Sequence, residues 1–168
     1  IGDNMQMQAW AAKTKSPGLE DKDDAYSLSA SYESADWAYN LEHTEVGGDF
    51  NPEVGFLART EYKKNMAFAM YTYRPDDLWG LLELRPHVRY TEFRNFDGIK
   101  ESSHWHIDNH WEFRNGYLFQ TGGNLLYERV NDPFEIVPGV IIPEGVYDHG
   151  NAAFVVRTNL AAPLSLYI

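Results

Sequence analysis

A strict alternation of apolar and polar residues constrains the fold more than any other feature of this sequence. It is clearest over residues 104–114 and recurs over 26–32 and 37–44. In the first of these stretches, one face is shared by Trp105, Ile107, Trp111 and Phe113, with Asn109 as an interruption. A period of two places successive side chains on opposite faces of a β-strand. The sequence therefore predicts strands that each have one apolar and one polar face.

Turn signals divide the chain into such strands. Asn115-Gly116 predicts a type I′ hairpin turn, and a further turn signal is His149-Gly150. The predicted strands cover residues 4–15, 24–34, 36–46, 56–73, 83–94, 103–115, 117–130 and 150–160. One short helical turn is expected over 77–84. We therefore predict one all-β domain over residues 1–168, built of antiparallel up-and-down hairpins.

Two all-β architectures share this alternation. A soluble β-sandwich or lipocalin-like domain turns its apolar face inward, around a core or a sugar or apolar ligand. A transmembrane β-barrel, or a segment of one, turns that face towards lipid and lines its lumen with polar residues. Long strands, densely charged polar faces and aromatic residues near strand ends favour the membrane, and these aromatic residues are Trp37, Tyr71, Tyr73, Trp105 and Tyr117. The period itself leaves both architectures open.

Composition excludes several functional classes. The formal net charge of −11 argues against a nucleic-acid partner recognised through charge. With zero cysteines, the chain has no disulfide, thiolate nucleophile or cysteine-ligated zinc. The sequence also lacks a Gly-x-Ser-x-Gly elbow, a phosphate-binding loop, a dinucleotide fingerprint and a His-Glu-x-x-His motif. We therefore predict that the protein is not an enzyme.

Both ends of the sequence favour a fragment of a longer chain. Residue 1 is Ile, preceded by neither an initiator Met nor a signal peptide. Ile168 ends an apolar stretch. We therefore expect a piece of a larger polypeptide.

Four segments resemble a bacterial protein family of unknown function. They are Phe50-Asn-Pro-Glu-Val-Gly-Phe-Leu-Ala-Arg-Thr60, Leu84-Arg-Pro-His-Val-Arg-Tyr90 with Arg94-Asn-Phe-Asp-Gly98, Trp111-Glu-Phe-Arg-Asn-Gly116, and Pro133-Phe-Glu-Ile-Val-Pro-Gly-Val-Ile-Ile-Pro-Glu-Gly-Val-Tyr147. The family's large C-terminal domain is identified as an outer-membrane β-barrel, and it commonly follows a domain resembling family-nine carbohydrate-binding modules. The resemblance implies that this chain is part of such a barrel without its sugar-binding module, and it supplies no catalytic residue.

The segment 104–110 is the strongest candidate for chemistry. Residues two apart on a strand point the same way, about 6.5–7 Å apart, so the polar side chains form one row: His104, His106, Asp108 and His110. A divalent metal such as zinc can be held by His104, His106 and His110. A further ligand would come from a neighbouring strand, the candidates being Glu42, Glu92 and Glu128. The alternative is a hydrated row without metal, paired with Arg85, Arg89 or Arg94.

Two loops are also candidates for function. Residues 20–24 carry an acidic cluster, which predicts a solvated surface loop or a site for a divalent cation. Residues 132–145 form a long loop rich in proline and apolar residues. Because those apolar residues need burial, we expect this loop to plug or constrict the barrel, or to cap it.

These features combine into a prediction of a porin-like or transport-linked channel in the outer membrane of a Gram-negative bacterium. Its partners would be the lipid bilayer and small hydrophilic solutes. The other role considered is that of a membrane anchor for a sugar-binding module in the full-length chain. The predicted lumen-lining residues are Arg85, His87, Arg89, His104, His106, Asp108, His110, Glu112 and Arg114. The alternatives are the soluble ligand-binding domain and a metal site on the strand that contains residues 104–110.

Overall fold

The protein is an antiparallel β-sheet with long strands. The computed structural model describes residues 2–19, 21–53 and 55–168. The strands are β1 (Met5–Lys13), β2 (Asp24–Glu33), β3 (Trp37–Val46), β4 (Tyr62–Tyr71), β5 (Leu81–Arg94), β6 (Lys100–Phe113), β7 (Leu118–Val130), β8 (Phe134–Val137), β9 (Val140–Ile142) and β10 (Gly145–Arg157). The predicted all-β class is confirmed.

Each strand of the main sheet pairs with its neighbours in sequence. The order is β1-β2-β3-β4-β5-β6-β7-β10, and every pair is antiparallel, which confirms the up-and-down hairpins. The remaining two strands, β8 and β9, form a separate hairpin inserted between β7 and β10. All long-range pairing therefore follows from local hairpins joined side by side.

The sheet is open, so the closed form of the predicted barrel is not present among the described residues. β1 pairs with β2 and β10 pairs with β7, and the two outer strands do not pair with each other. The outer edge of β10 is partly occupied by its own chain. The Val156 N–H donates to the Ile168 carbonyl, and the Ile168 N–H donates to the Val156 carbonyl, each at 3.0 Å. β1 therefore cannot close the sheet along that part of β10.

Several predicted boundaries differ from the structure. β4 begins at Tyr62 instead of residue 56, because residues 55–61 fold as a loop. His149-Gly150 lies inside β10 instead of in a turn. The Asn115-Gly116 turn is not type I′, since only Gly116 has a positive φ, of 84°. The Phe113 N–H donates to the Tyr117 carbonyl at 2.9 Å, which fits a type I turn ending in a left-handed glycine.

The register of the eight strands separates two faces. Paired residues lie on the same face, so the pairs Leu41–Ala67, Val88–Ile107 and Trp105–Leu125 place their side chains together. We call this side the apolar face. Its members at mid-strand are Met7, Ala9, Leu28, Ala30, Tyr39, Leu41, Ala67, Ala69, Val88, Tyr90, Trp105, Ile107, Leu125, Ala152 and Phe154.

The opposite side, which we call the polar face, alternates with it residue by residue. Its members at mid-strand include Gln8, Ser29, Ser31, Asn40, Glu42, Lys64, Arg89, His106, Asp108, Gln120, Asn124 and Asn151. A few apolar side chains, among them Trp10, Phe68 and Leu126, also lie on this face. The alternation predicted from the sequence is therefore realised in the folded sheet.

The sheet has almost no core. The buried cluster consists of Ala25, Val46 and Phe50, with Leu57 and Tyr62 packed against it, and no large side chain among the described residues is fully buried. The accessible surface is 11622 Å², whereas a compact monomer of 19.3 kDa exposes roughly 8,500 Å². Among the described residues, no helix is long and apolar enough to cross a membrane.

Candidate functional site

The apolar face is uncovered along its whole width. Leu41 and Leu125 are each 60 % exposed and Phe154 is 74 % exposed, although all three stand in mid-strand. Soluble monomers rarely expose a contiguous apolar patch larger than a few hundred Å². A face of this kind calls for an apolar partner.

Aromatic residues border this face towards one end of the strands. Trp37 stacks on Tyr39 with ring centroids 5.5 Å apart, and it contacts Tyr71 at 4.6 Å. Trp111 and Phe119 continue the border on β6 and β7. Trp and Tyr collect at this level in transmembrane barrels, because their rings suit the boundary between lipid and water.

The apolar band is slanted relative to the hydrogen bonds between strands. A row of paired residues that starts apolar, at Ala9 and Leu28, turns polar at Asn65 and Glu92 on β4 and β5. Nearer the other end of the strands, a row on β5, β6, β7 and β10 is apolar throughout: Leu84, Trp111, Phe119 and Val156. In a transmembrane barrel, strands tilt by about 35–45°, so the bilayer plane crosses the hydrogen-bond rows obliquely.

The two ends of the sheet carry loops of different length. Residues 14–23, 47–61, 95–99 and 131–144 connect strands at one end, which we call the long-loop end. Residues 34–36, 72–80 and 114–117 connect strands at the other. Outer-membrane barrels show this asymmetry, with short periplasmic turns and longer extracellular loops.

At the long-loop end, the loop 47–61 folds over the polar face. Phe50 and Leu57 pack on the polar-face residues Ala25, Val46 and Tyr62. The loop is also tied to β1–β2, since the Asn51 N–H donates to Thr14 Oγ1 at 2.9 Å. Further along, Arg59 forms an ion pair with Glu101 and lies 5.0 Å from the centre of the Phe93 ring.

The loop 132–145, which was expected to bury its apolar residues as a plug, constriction or cap, does not bury them against the described sheet. β8 and β9, inside the loop 132–145, pair with each other, and their apolar residues Phe134, Ile136 and Ile141 remain exposed. The loop 47–61, which carries one of the segments resembling the barrel family, packs over part of the polar face instead.

Of the acidic cluster 20–24, Asp23 binds Lys13 at 2.9 Å, and Glu20 lies outside the described residues.

The predicted lumen-lining residues lie together on the polar face, with one exception. Across β5 and β6 the register pairs Arg85 with His110, His87 with Asp108, and Arg89 with His106, while His104 and Glu112 extend the row. The exception is Arg114, which follows the end of β6. Its guanidinium donates to the carbonyl oxygens of Pro75 and Asp76 at 3.3 Å each, so it ties two loops together at the short-loop end.

Asp108 is the centre of this polar row. His110 Nε2 donates to Asp108 Oδ2 at 3.1 Å, and His106 Nε2 lies 3.9 Å from the same oxygen. The His87 ring completes the group, with its centroid 5.4 Å from that of His106 and 5.1 Å from that of His110. Gly122, paired with Asp108, leaves room for this carboxylate, because a Cβ at position 122 would come within 2.9 Å of it.

Asn124 connects the histidines to β7 and β10. Its side-chain oxygen accepts hydrogen bonds from His104 Nε2 at 2.7 Å and from His106 Nδ1 at 2.9 Å. Its nitrogen donates to Asn151 Oδ1 at 2.8 Å. The alternation of β7 already placed Asn124 on a polar face, but the sequence held no signal that it would join two histidines.

The histidines predicted as metal ligands are only partly brought together. Among the described residues, one set of three ligating side chains has its ligand atoms within 4.8 Å of one another, and it consists of His87, His106 and Asp108. His104 instead bonds to Asn124, and His110 to Asp108. Of the predicted acidic ligands, Glu42 binds Lys64 at 2.8 Å, Glu92 lies on the apolar-face side, and Glu128 pairs in register with Ser102.

The three arginines predicted as partners of the histidine row differ in their contacts. Arg85 forms an ion pair with Glu112 and lies 3.1 Å from Glu83, which also binds Arg74 at 3.1 Å. Arg89 stacks on Phe68 at 5.3 Å and has no ion-pair partner among the described residues. Arg94 binds Glu92 at 3.0 Å, away from the histidine row. Of the three arginines, Arg85 therefore forms an ion pair with the row through Glu112, and among the described residues Arg89 and Arg94 form none with it.

No family model matches this sequence, and neither the curated proteins nor the solved structures yield a match. The resemblance to the family of outer-membrane barrels therefore stays a prediction.

Proposed function

We propose that this chain is a segment of an outer-membrane β-barrel of a Gram-negative bacterium, with its apolar face against lipid and its polar face lining an aqueous lumen. The barrel would be porin-like or transport-linked and would pass small hydrophilic solutes. Anchoring of a sugar-binding module in a longer chain is part of the same proposal.

The observation that carries the proposal is the uncovered apolar face. A soluble sandwich would need a second layer on it, yet Leu28, Leu41 and Ile107 remain more than half exposed. Lipid would cover those side chains without any further protein layer. The slanted band, the aromatic border and the unequal loops support the same placement.

The polar face has the properties of a lumen wall. It carries carboxylates, guanidinium groups and imidazoles joined by hydrogen bonds, as between Lys64 and Glu42 or His104 and Asn124. The loop 47–61 over this face would narrow the mouth at the long-loop end, which the proposal places outside the cell. Solute selectivity would then follow from wall charge and from this narrowing.

The open edges define what a complete barrel requires. Unpaired backbone groups are not tolerated in the hydrocarbon region, so the outer edges of β1 and β10 must pair with further strands, either of a longer chain or of a second copy of this one. Leu166 and Ile168 already pair with Thr158 and Val156 as an added antiparallel strand would, with hydrogen bonds of 3.0 Å. We infer that the wall continues beyond both edges.

Expression behind a secretion signal in a Gram-negative host tests the proposal. We expect the chain in the outer-membrane fraction, resistant to an alkaline carbonate wash and released only by detergent. A secreted soluble protein expressed in parallel controls for periplasmic leakage. A monodisperse chain in the periplasmic fraction without detergent would contradict the proposal and favour the soluble ligand-binding domain.

A further inference from the structure

We propose that His87, His106 and Asp108 form a binding site for one divalent transition-metal ion of the zinc type on the polar face. The site joins two strands, because His87 belongs to β5 and the other two residues to β6. It differs from the predicted site, whose three histidines all belong to β6, since His87 replaces His104 and His110 and the carboxylate comes from Asp108. The chemistry is that of two imidazole nitrogens and one carboxylate, which suits zinc and its neighbours.

The backbone register builds this group. His87 and Asp108 are direct partners across β5 and β6, and His106 stands two residues from Asp108 on the same face. The three ligand atoms already lie within 4.8 Å of one another. Ligands bound at about 2.0–2.2 Å around a tetrahedral ion stand roughly 3.4 Å apart. Small rotations of these half-buried side chains would therefore bring the three ligand atoms to the spacing of a bound ion.

The hydrogen bonds of His87 and His106 use the Nδ1 atom of each ring and leave Nε2 available to a metal. His87 Nδ1 lies 3.1 Å from the Arg85 carbonyl oxygen, and His106 Nδ1 lies 2.9 Å from Asn124 Oδ1. An oxygen of either kind can only accept a hydrogen bond, so each Nδ1 carries the proton. Each Nε2 then keeps its lone pair for a metal. Protein zinc sites orient their histidines in this manner.

A second layer of contacts holds the carboxylate. His110 Nε2 donates to Asp108 Oδ2 at 3.1 Å, which orients Asp108 without making His110 a ligand. The Asn124 amide is fixed in turn by Asn151 at 2.8 Å. Groups of this kind, outside the ligands themselves, typically change metal affinity by about 10- to 100-fold when they are removed.

The neighbouring positive charges are already engaged. Arg85 is held by Glu83 and Glu112, and Arg89 stacks on Phe68 across β4 and β5. Gln120 and Asn124 face the group from β7 without charge. Among the described residues, Asp108 has no arginine or lysine partner, so its carboxylate is available to a metal ion.

Equilibrium dialysis of the 168-residue chain in detergent micelles against zinc chloride tests this site. We expect one zinc per chain, removable by a chelator. His87→Gln and Asp108→Asn each should weaken zinc binding at least 10-fold, and His110→Gln by about 10-fold. The matched control is His104→Gln, which lies on the same row and should change the affinity less than about 3-fold.

The reverse order would overturn the inference. If His104→Gln removed the zinc and His87→Gln kept it, the ligands would follow β6 alone. Absence of stoichiometric zinc, or equal affinity in all variants, would also contradict the site. Circular dichroism of each variant checks that the sheet is kept, and Asp108→Asn preserves the shape of the side chain.

The zinc site does not depend on the proposed function. β5 and β6 pair whichever partner covers the apolar face. A chain that is soluble in the periplasm and binds zinc through His87 would contradict the proposed barrel and support the site. A membrane-inserted chain without zinc would do the opposite.

Discussion

The two faces of this sheet are built from one alternating sequence, yet their side chains differ in whether they find partners within the sheet. Many groups of the polar face are satisfied within the sheet, through contacts such as Asn124 with His106 and Lys64 with Glu42. The apolar face has no internal partner, and it leaves Leu41 and Leu125 each 60 % exposed.

Exposure alone does not distinguish the faces. Trp10 on the polar face is 47 % exposed, and Trp105 on the apolar face is 43 % exposed. The difference lies in the neighbours of each side chain, which form a continuous apolar band around Trp105. The comparison teaches that one alternating sequence gives the polar face hydrogen-bond partners within the sheet and leaves the apolar face without a covering layer among the described residues.

The largest expected effect comes from placing a lysine at one of two adjacent leucines that lie on opposite faces. Leu125 belongs to the apolar face and Leu126 to the polar face. A lysine costs about 2–4 kcal/mol at the middle of a bilayer and less near its surface. We expect Leu125→Lys to destabilise the protein in phosphocholine vesicles, lowering its free energy of unfolding by about 1–3 kcal/mol. Urea titration of tryptophan emission measures it.

Leu126→Lys is the matched control for that substitution. Its side chain faces the aqueous side, so the expected change is within about 0.5–1 kcal/mol. A protein dissolved in water would show the opposite order, because Leu126 is less exposed than Leu125. An equal or larger effect of Leu126→Lys would contradict the assignment of the faces.

A smaller effect sharpens the description of the polar face. Arg85→Gln removes the ion pairs with Glu83 and Glu112, whose side chains are partly exposed. We expect a loss of about 1 kcal/mol in the free energy of unfolding at low salt, falling as salt screens the pair. Urea denaturation at low and at about 1 M salt measures it.

Arg89→Gln serves as the comparison for Arg85→Gln. Arg89 stacks on Phe68 without a carboxylate partner among the described residues. Its removal should cost roughly 0.5 kcal/mol, with little dependence on salt. If both arginines showed the same salt dependence, the ion pairs of Arg85 would not contribute to stability.

Local pattern was sufficient to predict most of the fold. The period of two located the eight strands of the sheet within a few residues, because alternation and hairpin turns are both local properties. The turn predicted at His149-Gly150 was wrong, because a glycine can also lie inside a strand where two strands approach closely. A Cβ at Gly150 would lie 3.1 Å from the Asn124 carbonyl oxygen on β7. The open edges were not predictable, because local pattern does not show whether the first and last strands of the sheet pair with each other.

The sequence predicted the row of polar side chains on β6, but not the group that joins His87 of β5 to His106 and Asp108. The alternation placed His104, His106, Asp108 and His110 on one face, and the sheet confirms that placement. It could not show that His87 stands opposite Asp108, because cross-strand register depends on loop geometry and bulges, such as the register shift between Phe93 and Arg94 beside the β5–β6 turn. The position of the loop 47–61 over the polar face was missed for the same reason.

The orientation of the two faces is tested most directly by single-tryptophan proteins in vesicles with brominated acyl chains. One protein keeps Trp105 and the other keeps Trp10, with phenylalanine at the remaining tryptophan positions. We expect bromine to quench Trp105 strongly and aqueous iodide to quench Trp10. Equal quenching of both, or iodide access to Trp105 as high as to Trp10, would contradict the lipid-facing assignment.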